Sequence, residues 1–233
     1  MSDRYADLRE EAWTANLEIQ KRGLAALTWG NASALDPADG VFAIKPSGLE
    51  YEELRPDNMV LVDLDGTVVE GRLRPSSDTK THLVLYKAFA GIRGICHCHS
   101  PNAVAWSQAR RPLPCMGTTH ADLTAGEVPC TEMISAEALA TDYETGTGEL
   151  IVKAFADRLP LETPVVLVAG HGPFSWGRSA REAVHNAVAL EEAARMAILT
   201  LAIAPACAPL PLHVVRKHYD RKHGSSAYYG QGR

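Results

Sequence analysis

The spacing of apolar and polar residues predicts helices at both ends of the chain and between them. The first is an amphipathic helix over residues 5–20, in which leucine and tryptophan recur among charges before Gly23 ends the pattern. The longest begins at Ser179, where the sequence Ser-x-x-Glu is typical of a capping box, and runs to about residue 203. Shorter helices are predicted over residues 79–91, 101–109 and 213–222.

Short apolar runs between these helices predict strands. One run, Cys96-His97-Cys98-His99-Ser100, is bounded by Gly94-Ile95 and by Pro101, which is typical of a helix start. Because side chains alternate along a strand, His97 and His99 share one face, and the two cysteines are expected to face the core on the other. Asp65-Gly66 predicts a hairpin turn. The remaining strands are predicted over residues 25–33, 41–45, 59–64, 68–69, 116–118 and 165–169.

Strands and helices mix along the chain without strict alternation. This order predicts one α/β domain over residues 1–233, with a central, mostly antiparallel sheet layered with helices. A chain of 233 residues, 46% of them hydrophobic, is long enough to bury a full core as a single domain. The polar stretch 224–233 is expected to be irregular.

The composition excludes several classes of partner and location. A formal charge of −5 gives no general attraction for nucleic acid or anionic membranes. The first ten residues are charged and lack the apolar core of a signal peptide, and the apolar run at residues 196–204 is too short to span a bilayer. An odd number of cysteines, five, indicates a reducing compartment. We therefore expect a cytoplasmic protein without nucleic-acid or membrane partners.

His97 and His99 are candidates for half of a divalent-metal site. Their best partners in the sequence are His171, which lies between glycines after an apolar run, and Asp78. Three neutral imidazoles and one carboxylate suit Zn²⁺ and tolerate Mn²⁺ or Co²⁺. The residues alone leave a simpler interpretation open: each histidine is an ordinary hydrogen-bonded residue, and Asp78 is a helix N-cap.

Three loops have residues that suit an anion such as phosphate. Trp29-Gly30-Asn31 offers backbone amides and a carboxamide, and Lys45-Pro46-Ser47-Gly48 offers a cation, a hydroxyl and a glycine. Ser76-Ser77 precedes a predicted helix, whose free amides and dipole favour phosphate. Each loop taken singly is also explained by ordinary turn chemistry. If the loops converge beside a metal, they would form a cradle for a phosphosugar.

These same segments resemble the class II aldolase/epimerase family. The resemblance runs from Leu17 to the C-terminus, and its last part is similar to the epimerases of the family. The family segments are residues 28–33 (TWGNAS), 44–48 (IKPSG), 75–79 (PSSDT) and 97–100 (HCHS). The epimerase segments are residues 117–122 (GTTHAD), 170–174 (GHGPF), 218–219 (HY) and 227–231 (AYYGQ).

The resemblance implies the family's α/β fold, its metal and its substrate contacts. The implied zinc ligands are Asp78, His97, His99 and His171. The implied contacts to a phosphorylated ketopentose are Gly30, Asn31, Ser47, Gly48, Ser76 and Ser77, and Lys45 is the cation among them.

The resemblance also implies a homotetramer with active sites between subunits. Asp122 and Tyr229 match the acid/base pair, which a neighbouring subunit contributes, and His218 and Arg221 match positions near the substrate. The C-terminal helix and tail, from about residue 210 to residue 233, are accordingly expected to contact that neighbour.

The implied reaction interconverts L-ribulose 5-phosphate and D-xylulose 5-phosphate by retro-aldol cleavage and re-addition between C3 and C4, in L-arabinose breakdown. A sibling epimerase of L-ascorbate or L-xylulose breakdown is an alternative with the same chemistry. A class II aldolase acting on a phosphosugar such as L-fuculose 1-phosphate is another, although aldolases of this family typically have glutamate where Asp78 stands. A non-enzymatic scaffold, like the head domain of adducin, is the third.

Overall fold

The computed structural model describes residues 4–225 and 227–229. The strands in these residues are β1 (Asn31–Asp36), β2 (Val41–Ile44), β3 (Val60–Asp63), β4 (Val68–Glu70), β5 (Gly94–His97), β6 (Val165–Leu167) and β7 (Pro173–Gly177). The α-helices are α1 (Ala6–Lys21), α2 (Thr79–Ala88), α3 (Pro101–Ala109), α4 (Thr118–Ala121), α5 (Ala136–Thr141), α6 (Tyr143–Ala154), α7 (Ala180–Ile203) and α8 (Leu212–His223). Two 3₁₀ turns, Tyr51–Glu53 and Pro56–Asn58, lie between β2 and β3.

All seven strands form one sheet in the order β4-β3-β2-β1-β5-β7-β6. Each neighbouring pair in that order is antiparallel, which confirms the expected sheet type. The order places β5 between β1 and β7, so three segments that are far apart in the sequence lie side by side. This arrangement positions the candidate site.

Helices cover both faces of the sheet and confirm the layered α/β architecture. α1 and α7 pack on one face through small side chains, and Cys96 and Cys98 lie in that core, each 1% exposed. Both cysteines therefore face the core as the sequence predicted. α2 and α6 cover the opposite face, where larger residues such as Phe42, Phe174 and Trp176 fill the space.

Three strand predictions need correction. The strand expected over residues 25–33 begins only at Asn31, because Gly30 has a positive φ of 80° and the segment before it turns. No strand forms at residues 116–118, where Gly117 instead precedes α4. β5 ends at His97, so His99 lies just beyond the strand, in the segment before Pro101.

The prediction also missed β7 and α6. β7 begins with a proline and lacks the apolar–polar alternation of a half-buried strand, because all five of its residues are buried. α6 contains Gly146 and Gly148, which weaken a helical pattern. A Cβ atom at Gly148 would lie 2.7 Å from Cβ of Val84, so the glycine permits the close approach of α6 to α2.

The C-terminal region folds as α8 followed by a short return of the chain. The backbone N–H groups of Tyr228 and Tyr229 both donate to the carbonyl of Arg221, so the tail lies against the helix. Gly230 and Gln231 of the AYYGQ segment lie outside the described residues. Within the described ranges, no helix combines the length and the apolarity that crossing a bilayer requires.

Candidate active site

Adjacent strands align three residues in one row across the sheet. Asn31 of β1 pairs in register with His97 of β5, and His97 pairs with Phe174 of β7. All three side chains lie on the face that α2 covers. The imidazole of His97 stacks on the Phe174 ring with a centroid distance of 4.2 Å and an interplanar angle of 16°. The sheet itself therefore fixes the orientation of His97.

Three histidines converge at the end of this row. One ring nitrogen from each of His97, His99 and His171 lies within 4.8 Å of the other two. The Nε2 atoms of His97 and His99 are 3.1 Å apart. Nδ1 of His97 lies 2.9 Å from the carbonyl oxygen of Pro173, which can accept only from a protonated Nδ1, so the lone pair of the ring is on Nε2.

Burial keeps these imidazoles neutral. Burial is the main cause that lowers the pKa of His97 and of His99 below the ordinary value. The pKa of His171 falls to about 4, first because of burial and then because of the neighbouring His97. Neutral imidazoles with lone pairs directed at one point are the form that binds metals.

Asp78 lies beside this triad and does not cap its helix. Its side chain makes no capping bond to α2, although it occupies the N-cap position. Instead, Nδ2 of Asn31 donates to Oδ2 of Asp78 over 2.7 Å. Burial alone would raise the pKa of the Asp78 carboxyl, but His97, His82 and the Asn31 hydrogen bond outweigh it and lower that pKa. The N-cap explanation therefore does not account for this side chain.

The donor set fits a divalent cation. Two Nε2 atoms 3.1 Å from each other and a nitrogen of a third imidazole supply ligands of the kind that Zn²⁺, Mn²⁺ and Co²⁺ accept. The Asp78 carboxylate lines the same cleft but lies outside this close group of ring nitrogens. The hydrogen bond from His97 to the Pro173 carbonyl has the form of the outer contacts that orient metal-binding histidines.

Backbone hydrogen bonds join two of the loops that were predicted to suit phosphate. The amide of Ser47 donates to the Arg74 carbonyl and the amide of Ser76 donates to the Lys45 carbonyl, both over 2.9 Å. Gly48, with a φ of 68°, turns the chain there. The Lys45 side chain is buried, contacts the Thr28 carbonyl at 3.2 Å, and forms no ion pair within 4.0 Å among the described residues, with Glu50 as the carboxylate that attracts it from farther away. A buried cation beside serine hydroxyls and a helix start favours an anionic ligand.

A single cleft of about 370 Å³ brings the metal-type and phosphate-type residues together. Its lining includes all the predicted metal and loop residues: Gly30, Asn31, Lys45, Ser47, Gly48, Ser76, Ser77, Asp78, His97, His99 and His171. Gly30 is required by the close packing of the cleft, since a Cβ atom there would lie 2.9 Å from the His97 carbonyl oxygen.

Tyr143 and Glu144 also line the cleft, and the sequence analysis missed both. They begin α6, a helix that was itself not predicted. The hydroxyl of Tyr143 lies 3.1 Å from Nδ1 of His171. Burial raises the pKa of Tyr143. The only sequence signal for Tyr143 is that it follows Asp142, a residue typical of a helix N-cap.

The other four predicted residues lie elsewhere in the chain, and none of them lines the cleft. Asp122, at the end of α4, accepts from Nη2 of Arg221 at 2.7 Å and from Nε at 3.2 Å. Nδ1 of His218 is 3.5 Å from the same carboxylate. The Arg221 guanidinium lies 5.0 Å from the centre of the Tyr229 ring, which is 60% exposed. We call Asp122, His218, Arg221 and Tyr229 the α8 corner.

Comparison with known proteins agrees with this geometry. Residues 10–198 match the class II aldolase and adducin N-terminal domain. The chain is 49% identical over 224 residues to the L-ribulose-5-phosphate 4-epimerase UlaF of Salmonella paratyphi B, with 96% of this chain and 98% of that protein covered. The corresponding protein of Salmonella typhi is 48% identical over the same shares.

Solved structures show the same fold. L-fuculose 1-phosphate aldolase superposes with a TM-score of 0.80 at 24% identity, covering 95% of this chain and 97% of that one. YgbL from Klebsiella pneumoniae superposes with a TM-score of 0.70 at 28% identity, covering 91% and 97%. The chain belongs to the class II aldolase and adducin N-terminal domain family. Within it, the curated relatives given above are named as 4-epimerases.

Proposed function

We propose that the protein is a metal-dependent epimerase that interconverts L-ribulose 5-phosphate and D-xylulose 5-phosphate. The observation that carries the proposal is the single cleft, in which the histidine triad faces the joined Ser47 and Ser76 loops, in a chain 49% identical to a curated 4-epimerase. A metal centre beside an anion site suits a phosphorylated sugar with a carbonyl group.

The proposed metal ligands are His97, His99, His171 and Asp78, and Zn²⁺ is the proposed ion, with Mn²⁺ or Co²⁺ as substitutes. A divalent cation there supplies a Lewis acid that stabilises negative charge on the sugar's C2 and C3 oxygens. The protein contributes the fixed orientation: the Phe174 ring stacks on His97, and Asn31 holds the Asp78 carboxylate. Orientation of this kind is arranged before the substrate binds.

The reaction calls for carbon–carbon cleavage because the C4 proton is not next to the carbonyl and is barely acidic. When the C3–C4 bond breaks, its electron pair passes toward C2 and gives an enediolate, and the C4 hydroxyl loses its proton to a base. The other fragment is glycolaldehyde phosphate. Rotation of its aldehyde and attack on the opposite face re-form the bond with C4 inverted, and an acid returns the proton to oxygen.

The fragment must stay bound while its aldehyde turns. We assign this task to the serine hydroxyls and amides of the two joined loops, at Ser47, Gly48, Ser76 and Ser77, with Lys45 balancing the phosphate charge. Because Nδ2 of Asn31 already donates to Asp78, the remaining Oδ1 is available as an acceptor for a sugar hydroxyl. Gly30 lets this loop approach the ligand closely.

Asp122 and Tyr229 are the proposed acid/base pair, with His218 and Arg221 near the substrate. None of them lines the cleft of its own chain, which supports a site completed by the α8 corner of a neighbouring copy. The carboxylate and the phenol would stand on opposite faces of the aldehyde and exchange protons with the C4 oxygen. A homotetramer, a cytoplasmic location and a role in L-arabinose breakdown stay predictions of the sequence.

A coupled assay with L-ribulose 5-phosphate, before and after chelator treatment, tests the proposal. We expect D-xylulose 5-phosphate to form, the chelated protein to lose the activity, and added Zn²⁺ to restore it. Accumulation of free aldehyde without D-xylulose 5-phosphate would indicate an aldolase instead. Full turnover in demetallated protein, or no turnover with any metal, would contradict the proposal.

A further inference from the structure

A set of buried polar residues runs inward from the cleft between β1 and α2. Asn31 and Ser33 share one face of β1, and α2 presents Asp78, His82 and Tyr86 to them at intervals of four residues. The Oγ of Ser33 lies 2.7 Å from Nδ1 of His82 and 2.7 Å from the Tyr86 hydroxyl. Together with the Asn31–Asp78 bond of 2.7 Å, these contacts form what we call the polar ladder.

The surroundings of the polar ladder are apolar. Ser33 and His82 are fully buried, and Tyr86 is 7% exposed. The Tyr86 ring packs 5.3 Å from Phe42, and His82 meets the edge of Phe174 at 6.2 Å. Buried polar groups at such a position often give no more stability than well-packed apolar side chains of similar size.

Ser33 is the central member of the ladder. Its single hydroxyl can donate to only one partner and must accept from the other, so the two hydrogen bonds form one directed chain. His82 is one helical turn after Asp78, and Ser33 is two residues after Asn31 on the same strand face. The chain therefore fixes α2 against β1 immediately behind the Asn31–Asp78 contact.

We propose that Ser33, His82 and Tyr86 are positioning residues, which hold the start of α2 against β1 so that the Asp78 carboxylate is directed at the metal site. This inference rests on the proposed function, since it assumes that a metal binds in the cleft. Residues that orient metal ligands through hydrogen bonds typically change metal affinity by about 10- to 100-fold when they are removed.

The test compares Ser33→Ala with Ser175→Ala. Ser175 is a buried serine on β7, directed at the opposite face of the sheet, where its hydroxyl donates to the Ala183 carbonyl at 2.8 Å. Both variants lose one buried hydroxyl from a central strand. The readouts are Zn²⁺ affinity by chelator competition, the absorption spectrum of the Co²⁺-substituted protein, and the urea midpoint of the metal-free protein.

We expect Ser33→Ala to weaken Zn²⁺ binding by about 10-fold or more and to alter the Co²⁺ spectrum. Ser175→Ala is expected to shift the urea midpoint comparably while both metal readouts keep their wild-type values. Equal loss of affinity in the two variants, or an unchanged affinity in Ser33→Ala, would overturn the inference. If wild-type protein binds no metal or shows no turnover, the proposed function is wrong. If wild-type protein does both and the two variants behave alike, only the positioning inference is wrong.

A second variant separates positioning from stability. The triple variant Ser33→Ala, His82→Leu and Tyr86→Phe removes Ser33 and both of its hydrogen-bond partners together. None of the three positions then leaves a polar partner unpaired. We expect it to fold with a urea midpoint at or above that of Ser33→Ala and to keep the weakened Zn²⁺ affinity. Recovery of affinity together with stability would show that the ladder only stabilises the fold, and would overturn the inference.

Discussion

The cleft and the α8 corner hold the two halves of the proposed chemistry, and they are built in different ways. In the cleft, the strands set the side chains: Asn31, His97 and Phe174 are aligned by the register of three neighbouring strands. In the α8 corner, Asp122 ends a four-residue helix and Tyr229 belongs to the tail. The cleft brings ring nitrogens of three histidines within 4.8 Å of one another, whereas Asp122 and Arg221 in the corner pair with each other.

This contrast indicates that the cleft is the half that can bind a ligand within one chain. In the cleft, buried residues such as Asn31, Lys45 and His97 lie beside exposed loop residues such as Ser47 and Gly48, so fixed side chains meet an opening through which a ligand can enter. The corner has few contacts with the sheet, and its carboxylate and guanidinium neutralise each other. The proposed function assigns it to a substrate that another copy of the chain holds. Variants in each region should therefore separate metal and phosphate binding from acid/base chemistry.

Removing a cleft ligand should have the largest effect. We expect His97→Asn to lower kcat/KM by about 10³-fold or more, because Lewis-acid stabilisation contributes several kcal/mol and each 1.36 kcal/mol is a factor of ten. Bound metal, measured after purification, should fall in parallel, and excess Zn²⁺ should restore part of the activity. His185→Asn, at an exposed position of α7, is the matched control and should keep wild-type metal content. Full metal content in His97→Asn would contradict the assignment.

Loss of the corner carboxylate should lower turnover strongly without loss of metal. We expect Asp122→Asn to lower kcat by about 10²-fold or more, the usual contribution of a general acid or base, while Zn²⁺ stays bound. Mixing this variant with His97→Asn, followed by subunit exchange, should restore activity, because some sites then combine an intact cleft with an intact corner. In a closed ring of four mixed at random, about one quarter of the sites would do so. Absence of any recovery after confirmed subunit exchange would contradict a site completed by a neighbouring copy.

Most of the cleft residues could be predicted from the sequence, because they lie in short segments whose residue types are typical of metal and phosphate sites. The histidines near β5, the loop at Ser47 and the serines before α2 carry recognisable residue types at fixed spacing, so their roles were expected before their convergence was known. The convergence itself depends on strand order, which local patterns do not encode. Tyr143 was not predicted because glycines weaken the helical pattern of α6. Gly148 is required there because α6 packs closely against α2.

The corner was less predictable than the cleft. Asp122 and Tyr229 carry no local signal beyond a helix end and a polar tail, and only the resemblance to a family pointed to them. The structure brings Asp122 and Arg221 together although they lie far apart in the sequence. Contacts between a short helix and a C-terminal helix have no periodic signature. The strand expected at residues 116–118 does not form, because Gly117 is the N-cap of α4 and Thr118 is its first residue.

Loss of the Tyr143 hydroxyl should have a moderate effect that is confined to the cleft. We expect Tyr143→Phe to weaken Zn²⁺ binding by about 10-fold, because the hydroxyl 3.1 Å from Nδ1 of His171 helps to orient that ring. With saturating Zn²⁺, kcat should return close to the wild-type value. Tyr219→Phe, at a half-buried position on α8, is the matched control and should leave metal affinity unchanged. Equal affinities of Tyr143→Phe and wild-type protein would remove Tyr143 from the metal site.

The smallest expected effect concerns a feature that the cleft and the α8 corner share, a buried histidine close to each. Each region buries a histidine: burial lowers the pKa of His82, behind the cleft, to about 3 and that of His120, in α4, to about 4. The unfolded chain, with an ordinary histidine pKa near 6.5, binds the proton first. The stability that the neutral form provides is therefore complete above about pH 6.5 and declines as the pH falls toward the folded-state value.

His120→Asn should remove one such proton from the pH dependence of folding. Urea unfolding of metal-free protein should show a slope between pH 6.5 and 4 that is reduced by up to about 1.4 kcal/mol per pH unit relative to wild type, the value for one proton. His185→Asn, at an exposed position of α7, is the matched control for the substitution. Parallel curves for His120→Asn and wild-type protein would mean that His120 takes up its proton in the folded state. The α8 corner would then differ from the cleft in its interior as well as at its surface.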